Sequence, residues 1–156
     1  MSESTSQKQF VYKDYLQEIF DTSSKPFIKE IVLLAALYWF YTTTSTEDMI
    51  IFIKYIIVLI LIRYFLSVLT QIRDRDNRRY FVLNANVIIF TTVILLMHKS
   101  GMLVDKGYLA LVLITSYSLL VISTKEHYTS DVLLTLVVIY SLFNNSVVKH
   151  YINGLS

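Results

Sequence analysis

The sequence predicts an all-α fold: a polytopic integral membrane helix bundle of about five transmembrane helices, preceded by an N-terminal amphipathic helix. Composition is the first reason, because 54% of the 156 residues are hydrophobic and only 17% are charged, whereas soluble domains are about a quarter charged. The mean hydropathy is +0.53, and the chain has three glycines and one proline. The apolar residues also lie in blocks close to the length of about 20 residues that a bilayer-spanning helix requires.

Five apolar blocks define the predicted domain organisation. They are Phe27–Thr44, Met49–Leu69, Phe81–Met97, Tyr108–Thr124 and Asp131–Val148, the last weakened by Asn144 and Asn145. We predict a transmembrane bundle over residues 27–148, a polar tail and interfacial helix over residues 1–26, and a short polar C-terminal tail over residues 149–156. A soluble helical protein is the alternative, but too little polar surface remains to cover such a core.

The segment before the first block has the pattern of an amphipathic helix. In "FVYKDYLQEIF", Tyr12, Tyr15, Leu16 and Ile19 follow the spacing i, i+3, i+4, i+7, and charged residues occupy the other positions. Such a helix lies either in a membrane interface or on a protein partner. The pattern leaves both readings open.

Short connections between the blocks make neighbouring helices antiparallel, so the loops alternate between two sides. Side A contains the N-terminus and the loops 70–80 and 125–130. Side B contains the loops 45–48 and 98–107 and the C-terminus. Most Lys and Arg residues outside the blocks fall on side A. Because Lys and Arg set membrane orientation, side A is predicted to face the cytosol.

Several basic residues lie at or within the blocks. The run "QIRDRDNRRYF" contains Arg78 and Arg79 and could clamp lipid phosphates, although a topology-setting loop with local ion pairs is the favoured interpretation. Arg63, inside the second block, could pair with Asp131, bind a lipid headgroup or extend to the interface. Lys54 lies near side B and can extend to that interface.

The stretch "STKEHYTSDV" contains the clearest chemical pattern, because His127 and Asp131 are four residues apart and share one face of a helix. A carboxylate that accepts a hydrogen bond from one imidazole nitrogen leaves the other nitrogen free to attack or take a proton. On spacing alone, solvated capping residues are the more common explanation, and Asp131 suits a helix N-terminus.

The run H-Y-T-S-D-V from His127 to Val132 resembles the last catalytic motif of the sphingomyelin synthases, H-Y-[ST]-x-D-V, within the lipid phosphate phosphatase and phosphotransferase superfamily. The resemblance implies that His127 is the nucleophile carrying the phospho-headgroup and that Asp131 orients it. It extends loosely over the last hundred residues, including "LIRYF". Only the six-residue run is specific.

The chain departs from that family at a second motif, S-G-H-T, whose His is the acid/base partner. The matching stretch is "LNANV", with Ala85 in place of the His. Asn84 and Asn86 flank it and can hydrogen-bond a phosphate, but neither shuttles protons near neutral pH. His98 and His150 are predicted on side B, away from His127.

Two further departures concern the other motifs and the orientation. The proline-rich and cysteine-containing motifs of the synthases are missing, since the chain has one proline and no cysteine. The synthases also present their catalytic motifs to the lumen or cell exterior, whereas the charge pattern places His127 on the cytosolic side with the N-terminus.

The predicted function is therefore that of a membrane protein with a degenerate lipid-phosphotransferase-like scaffold, structural or lipid-binding, in a viral membrane or a eukaryotic endomembrane. Its predicted partners are membrane phospholipids and a homo- or hetero-oligomeric membrane or capsid assembly. No nucleic acid is expected at a net charge of +2, and no cofactor or metal is expected.

The sequence leaves two alternative functions open. The first is an active headgroup transferase or lipid phosphatase acting through a phosphohistidine at His127, with Arg63, Arg78 or Arg79 neutralising the phosphate. The second is an ion or proton pathway using Lys54, Arg63 and Asp131. This pathway ranks last because no predicted helix carries a polar stripe through its middle.

Overall fold

The computed structural model describes residues 27–70, 83–103, 107–124 and 129–154, and within these ranges every regular element is an α-helix. The helices are α1 (Phe27–Thr43), α2 (Thr46–Thr70), α3 (Ala85–Lys99), α4 (Gly107–Ser123), α5 (Thr129–Asn144) and α6 (Ser146–Gly154). This confirms the all-α class. The predicted amphipathic helix before residue 27 lies outside the described residues.

Local chemistry sets several of the helix ends. Ser45 starts α2, because its Oγ accepts a hydrogen bond from the Asp48 backbone N–H at 3.2 Å and donates one to Asp48 Oδ2 at 3.0 Å. At the end of α3, Gly101 adopts a left-handed φ of 76°. Its N–H donates to the His98 carbonyl, and the Met102 N–H donates to the Met97 carbonyl, which is the Schellman arrangement that ends many helices.

Helix α3 is the centre of the bundle and packs against α1, α2, α4 and α5. It is buried on nearly all sides, through Val87, Ile88, Phe90, Thr91, Thr92, Val93, Ile94, Leu96 and Met97. A stacked aromatic pair joins α3 to α4, with Phe90 and Tyr117 at 4.0 Å between ring centroids. A second stacked pair, Tyr55 with Phe143 at 4.3 Å, joins α2 to α5.

Long-range hydrogen bonds show that the helices alternate in direction. At side A, Tyr117 in α4 donates to the Lys29 carbonyl in α1 at 3.4 Å. At side B, Lys54 in α2 donates to the Ile152 carbonyl in α6 at 3.1 Å. The turn between α1 and α2 meets the residues after α3, because Thr44 Oγ1 lies 3.8 Å from Met102 Sδ. The starts of α1, α3 and α5 therefore share one end of the bundle.

The outer surface of the bundle is apolar. Large hydrophobic side chains are exposed on α1, α2, α4 and α5, among them Leu34, Tyr38, Ile57, Leu61, Phe65, Leu111, Val112, Val137 and Tyr140. So many exposed large hydrophobic side chains are unusual for a monomer in water. The outer helices thus have apolar residues facing both α3 and the surroundings.

One described helix is long and apolar enough to cross a membrane, Thr46–Val68 within α2, and only 11% of its apolar window is buried in the bundle. The apolar helices α3, α4 and α5 have 15, 17 and 16 residues, which at a rise of 1.5 Å gives roughly 22–26 Å, short of a typical hydrocarbon core. The prediction of five spans therefore has direct support from helix length for α2 alone.

The C-terminal end differs from the prediction that the fifth apolar block runs to Val148. Helix α5 ends at Asn144, and a separate helix α6 begins at Ser146. Asn145 causes the break, because its Oδ1 accepts hydrogen bonds from the N–H groups of Val147 at 2.9 Å and Val148 at 3.2 Å. Helix α6 packs on α2 and α5 with Ile152 buried, so most of the expected polar tail belongs to a packed helix.

Candidate functional site at the polar end of the bundle

Buried polar side chains from all five longer helices lie toward side A. They are Lys29 of α1, Ser67 of α2, Asn84 at the start of α3, Ser118, Ser123 and Thr124 at the end of α4, and Thr129, Asp131 and Thr135 of α5. Tyr117, next to the buried Ser118, stacks on Phe90, and both rings belong to the apolar core cluster. Buried polar groups require partners, so this end is the strongest candidate for a ligand-binding site.

A hydrogen-bonded chain joins the starts of α3 and α5. The backbone N–H of Asn84 donates to Thr135 Oγ1 at 2.9 Å, and Thr135 Oγ1 donates to the Asp131 carbonyl at 2.6 Å. Asn84 and Thr135 are 51 residues apart in sequence. Residues from the two stretches singled out in the sequence, "LNANV" and "HYTSDV", therefore lie side by side.

Asn84 also carries a free donor at the N-terminus of α3. Its Oδ1 caps the helix by accepting from the Val87 N–H at 3.0 Å. Its side-chain Nδ2 is buried and has no hydrogen-bond partner within the described part of the chain. A helix N-terminus favours negative charge. An amide donor and the positive end of a helix dipole together form an arrangement that suits an anionic group.

The other predicted site residues are distributed as follows. Asn86 is half-buried in the first turn of α3, and Ala85 is the first residue of that helix. Arg63 lies in α2, half-buried with its Nε buried. Asp131 is 8% exposed in the first turn of α5. His127, Arg78 and Arg79 lie outside the described residues.

The remaining histidines and Lys54 lie at side B. His98 is exposed in the last turn of α3, and His150 is exposed in α6. Lys54 contacts the end of α6 through Ile152. In the described ranges no histidine lies at the end that contains Asp131, so an acid/base partner for His127 would have to come from elsewhere.

Sequence reasoning missed Thr135, the residue that connects the two halves of the site. Its signal was present, because Thr135 follows Asp131 by one helical turn and so lies on the same face. It also missed the buried Lys29, whose side chain is 2% exposed and whose carbonyl accepts from Tyr117. Nothing in the local pattern of α1 distinguishes Lys29 from a solvated residue at a helix start.

Comparisons with known proteins do not assign the chain to a family. No protein family, no curated protein and no solved structure matches the chain. Within the four described ranges, no group of three His, Asp or Glu side chains could hold a metal ion.

Proposed function

We propose that the chain is an integral membrane protein with a lipid-phosphotransferase-like scaffold, which binds a phospholipid headgroup at side A and does not turn it over. The apolar exterior supports the membrane part, since α1, α2, α4 and α5 expose large hydrophobic side chains around a central α3. A bilayer removes the cost of that exposure. The shorter helices would fit by local thinning of the bilayer.

The observation that carries the headgroup part is the buried, unpartnered Nδ2 of Asn84 at the N-terminus of α3, among the residues described. A phosphate oxygen placed there would accept from Nδ2 and gain from the helix dipole. Hydrogen bonds to charged acceptors are stronger than neutral ones. Arg63, in the side A half of α2, is a second group able to neutralise a phosphate.

The first test removes this donor while keeping the helix cap. Asn84→Asp retains an oxygen for the Val87 N–H, since Asp and Asn cap helices equally well, but it replaces the donor with a negative charge. We expect at least about tenfold weaker binding of dioctanoyl phosphatidic acid to the detergent-solubilised protein, because a hydrogen bond to a charged group contributes about 1.5–3 kcal/mol.

The matched control is Asn145→Asp, the same change at the N-cap of α6 on side B. Titration calorimetry on both variants, with melting temperatures to verify folding, measures the difference. Equal affinity of the two folded variants would contradict a headgroup site at Asn84.

The second test concerns turnover. Purified protein in vesicles of phospholipid and ceramide is assayed for headgroup release and transfer, beside His127→Ala and, as control, His98→Ala. We expect no turnover by any of the three, because loss of an acid/base group typically lowers rates by about 10²–10⁴. Turnover that disappears in His127→Ala and persists in His98→Ala would overturn the non-catalytic proposal and establish a phosphotransferase.

A further inference from the structure

A groove of about 460 Å³ runs between α3, α4 and α5 in the side B half of the bundle. Thr91 and Leu95 of α3 form part of its floor, and Leu111 of α4 and Val137 and Tyr140 of α5 are among its walls. His98 lies at its side B end, next to Gly107. The volume is within the usual range for small-molecule sites, about 300–1,000 Å³. It is separate from the polar end at side A.

The position of the groove explains why it is not closed by protein. The end of α4 and the start of α5 lie at side A, and the groove lies at the opposite ends of these two helices. The residues that line it include small ones, Gly107, Ala110 and Ser141, which leave room between the larger walls. The helices therefore leave an apolar groove that is open to the exterior of the bundle.

The residues around the groove indicate which kind of ligand fits it. Leu111, Val137 and Tyr140 are 63%, 61% and 68% exposed, so the groove opens onto the apolar exterior of the bundle. At the side B end, exposed Lys99 follows His98 in the last turn of α3. An apolar groove whose lining includes His98, the residue before the exposed cation Lys99, is complementary to an acyl chain attached to an anionic headgroup.

We propose that this groove binds one acyl chain of an anionic phospholipid, with the headgroup phosphate beside His98 and Lys99 in the side B leaflet. The inference rests on the membrane part of the proposed function and is independent of the headgroup site at Asn84. Close packing of the chain against Leu95, Leu111 and Val137 supplies van der Waals contacts beyond those made in bulk lipid. The charge of Lys99 supplies the preference for an anionic lipid.

The test uses the full chain in phosphatidylcholine vesicles with a trace of phosphatidylglycerol carrying a photoreactive group in one acyl chain. After illumination, mass spectrometry maps the labelled residues with and without excess unlabelled phosphatidylglycerol. We expect the groove segments of α4 and α5 to be labelled, and we expect excess unlabelled phosphatidylglycerol to abolish this labelling. Labelling along the outer face of α2, which contacts bulk lipid, should fall only in proportion to dilution of the probe.

Two matched variants test the site itself. Ser141→Trp places a large side chain in the groove, and Ser116→Trp makes the same change at an exposed position of α4 that does not line it. We expect Ser141→Trp to lower groove labelling about tenfold and Ser116→Trp to leave it unchanged. Lys99→Gln should lower it about two- to five-fold, as expected for one exposed ion pair.

The outcomes separate this inference from the proposed function. Labelling of α2 without competable labelling of the groove would overturn the lipid site and leave a membrane protein. Absence of labelling at both places would overturn the membrane assignment as well. Competition by a sterol and not by phosphatidylglycerol would overturn the phospholipid as occupant.

Discussion

Ile57→Asp should prevent membrane insertion of α2. We expect the ratio of inserted to non-inserted protein to fall about 100-fold. Ile57 lies midway along the span Thr46–Val68 and is 53% exposed. A carboxylate at the centre of a spanning helix costs about 2.5–3.5 kcal/mol on insertion scales. On a helix facing water, the same substitution of an exposed apolar residue would change stability by only about 0.5 kcal/mol.

The measurement is a glycosylation-based insertion assay in microsomes, followed by alkaline extraction of the membranes. Val147→Asp is the matched control, because Val147 is 74% exposed but lies in the short helix α6 at the side B end. It should retain wild-type insertion. Recovery of Ile57→Asp as a folded, monodisperse protein without detergent would contradict the membrane assignment.

Thr135→Val should destabilise the bundle more than the same substitution at Thr92, which is also buried. Thr135 is fully buried, accepts from the Asn84 N–H and donates to the Asp131 carbonyl. Valine has a similar shape but leaves the Asn84 N–H buried without that acceptor, at a cost of about 2–3 kcal/mol. For a chain of this size, we expect the melting temperature to fall by about 4–10 °C.

Thr92→Val provides the comparison. Thr92 is also fully buried, but its Oγ1 has no hydrogen-bond partner among the residues that the structure describes. Replacing a buried hydroxyl that lacks a partner is expected to be neutral or to stabilise by up to about 1 kcal/mol. Thermal unfolding of both variants in the same detergent measures the difference. Equal effects would show that the Asn84–Thr135 bond does not join α3 to α5 energetically.

Most helix positions could be predicted from the sequence, because long apolar runs bounded by polar loops are strong signals. The block Phe27–Thr44 corresponds to α1, Met49–Leu69 to α2, and Tyr108–Thr124 to α4. The break at Asn145 was predicted only as a weak point, since an asparagine inside an apolar run signals a helix cap only if its side chain turns back onto the following N–H groups.

The candidate site could be predicted only in part. Asp131 was identified from its spacing to His127 and from the resemblance of the run H-Y-T-S-D-V, and Asn84 because it flanks Ala85 at the place of the missing S-G-H-T motif. Their proximity through Thr135 was not predicted, because a contact between residues 51 positions apart depends on how two helices pack. Whether His127 completes this site stays a prediction that the turnover assay tests.

The sequence by itself determined that the five long apolar segments are helical, since hydropathy and the lengths of the apolar runs depend only on the order of residues along the chain. Tertiary structure alone decided that α3 is central and that α4 and α5 leave a groove. Hydropathy cannot rank helices that are all apolar. Close packing of side chains such as Phe90 on Tyr117, and the pairing of buried polar groups such as Asn84 with Thr135, select which faces meet.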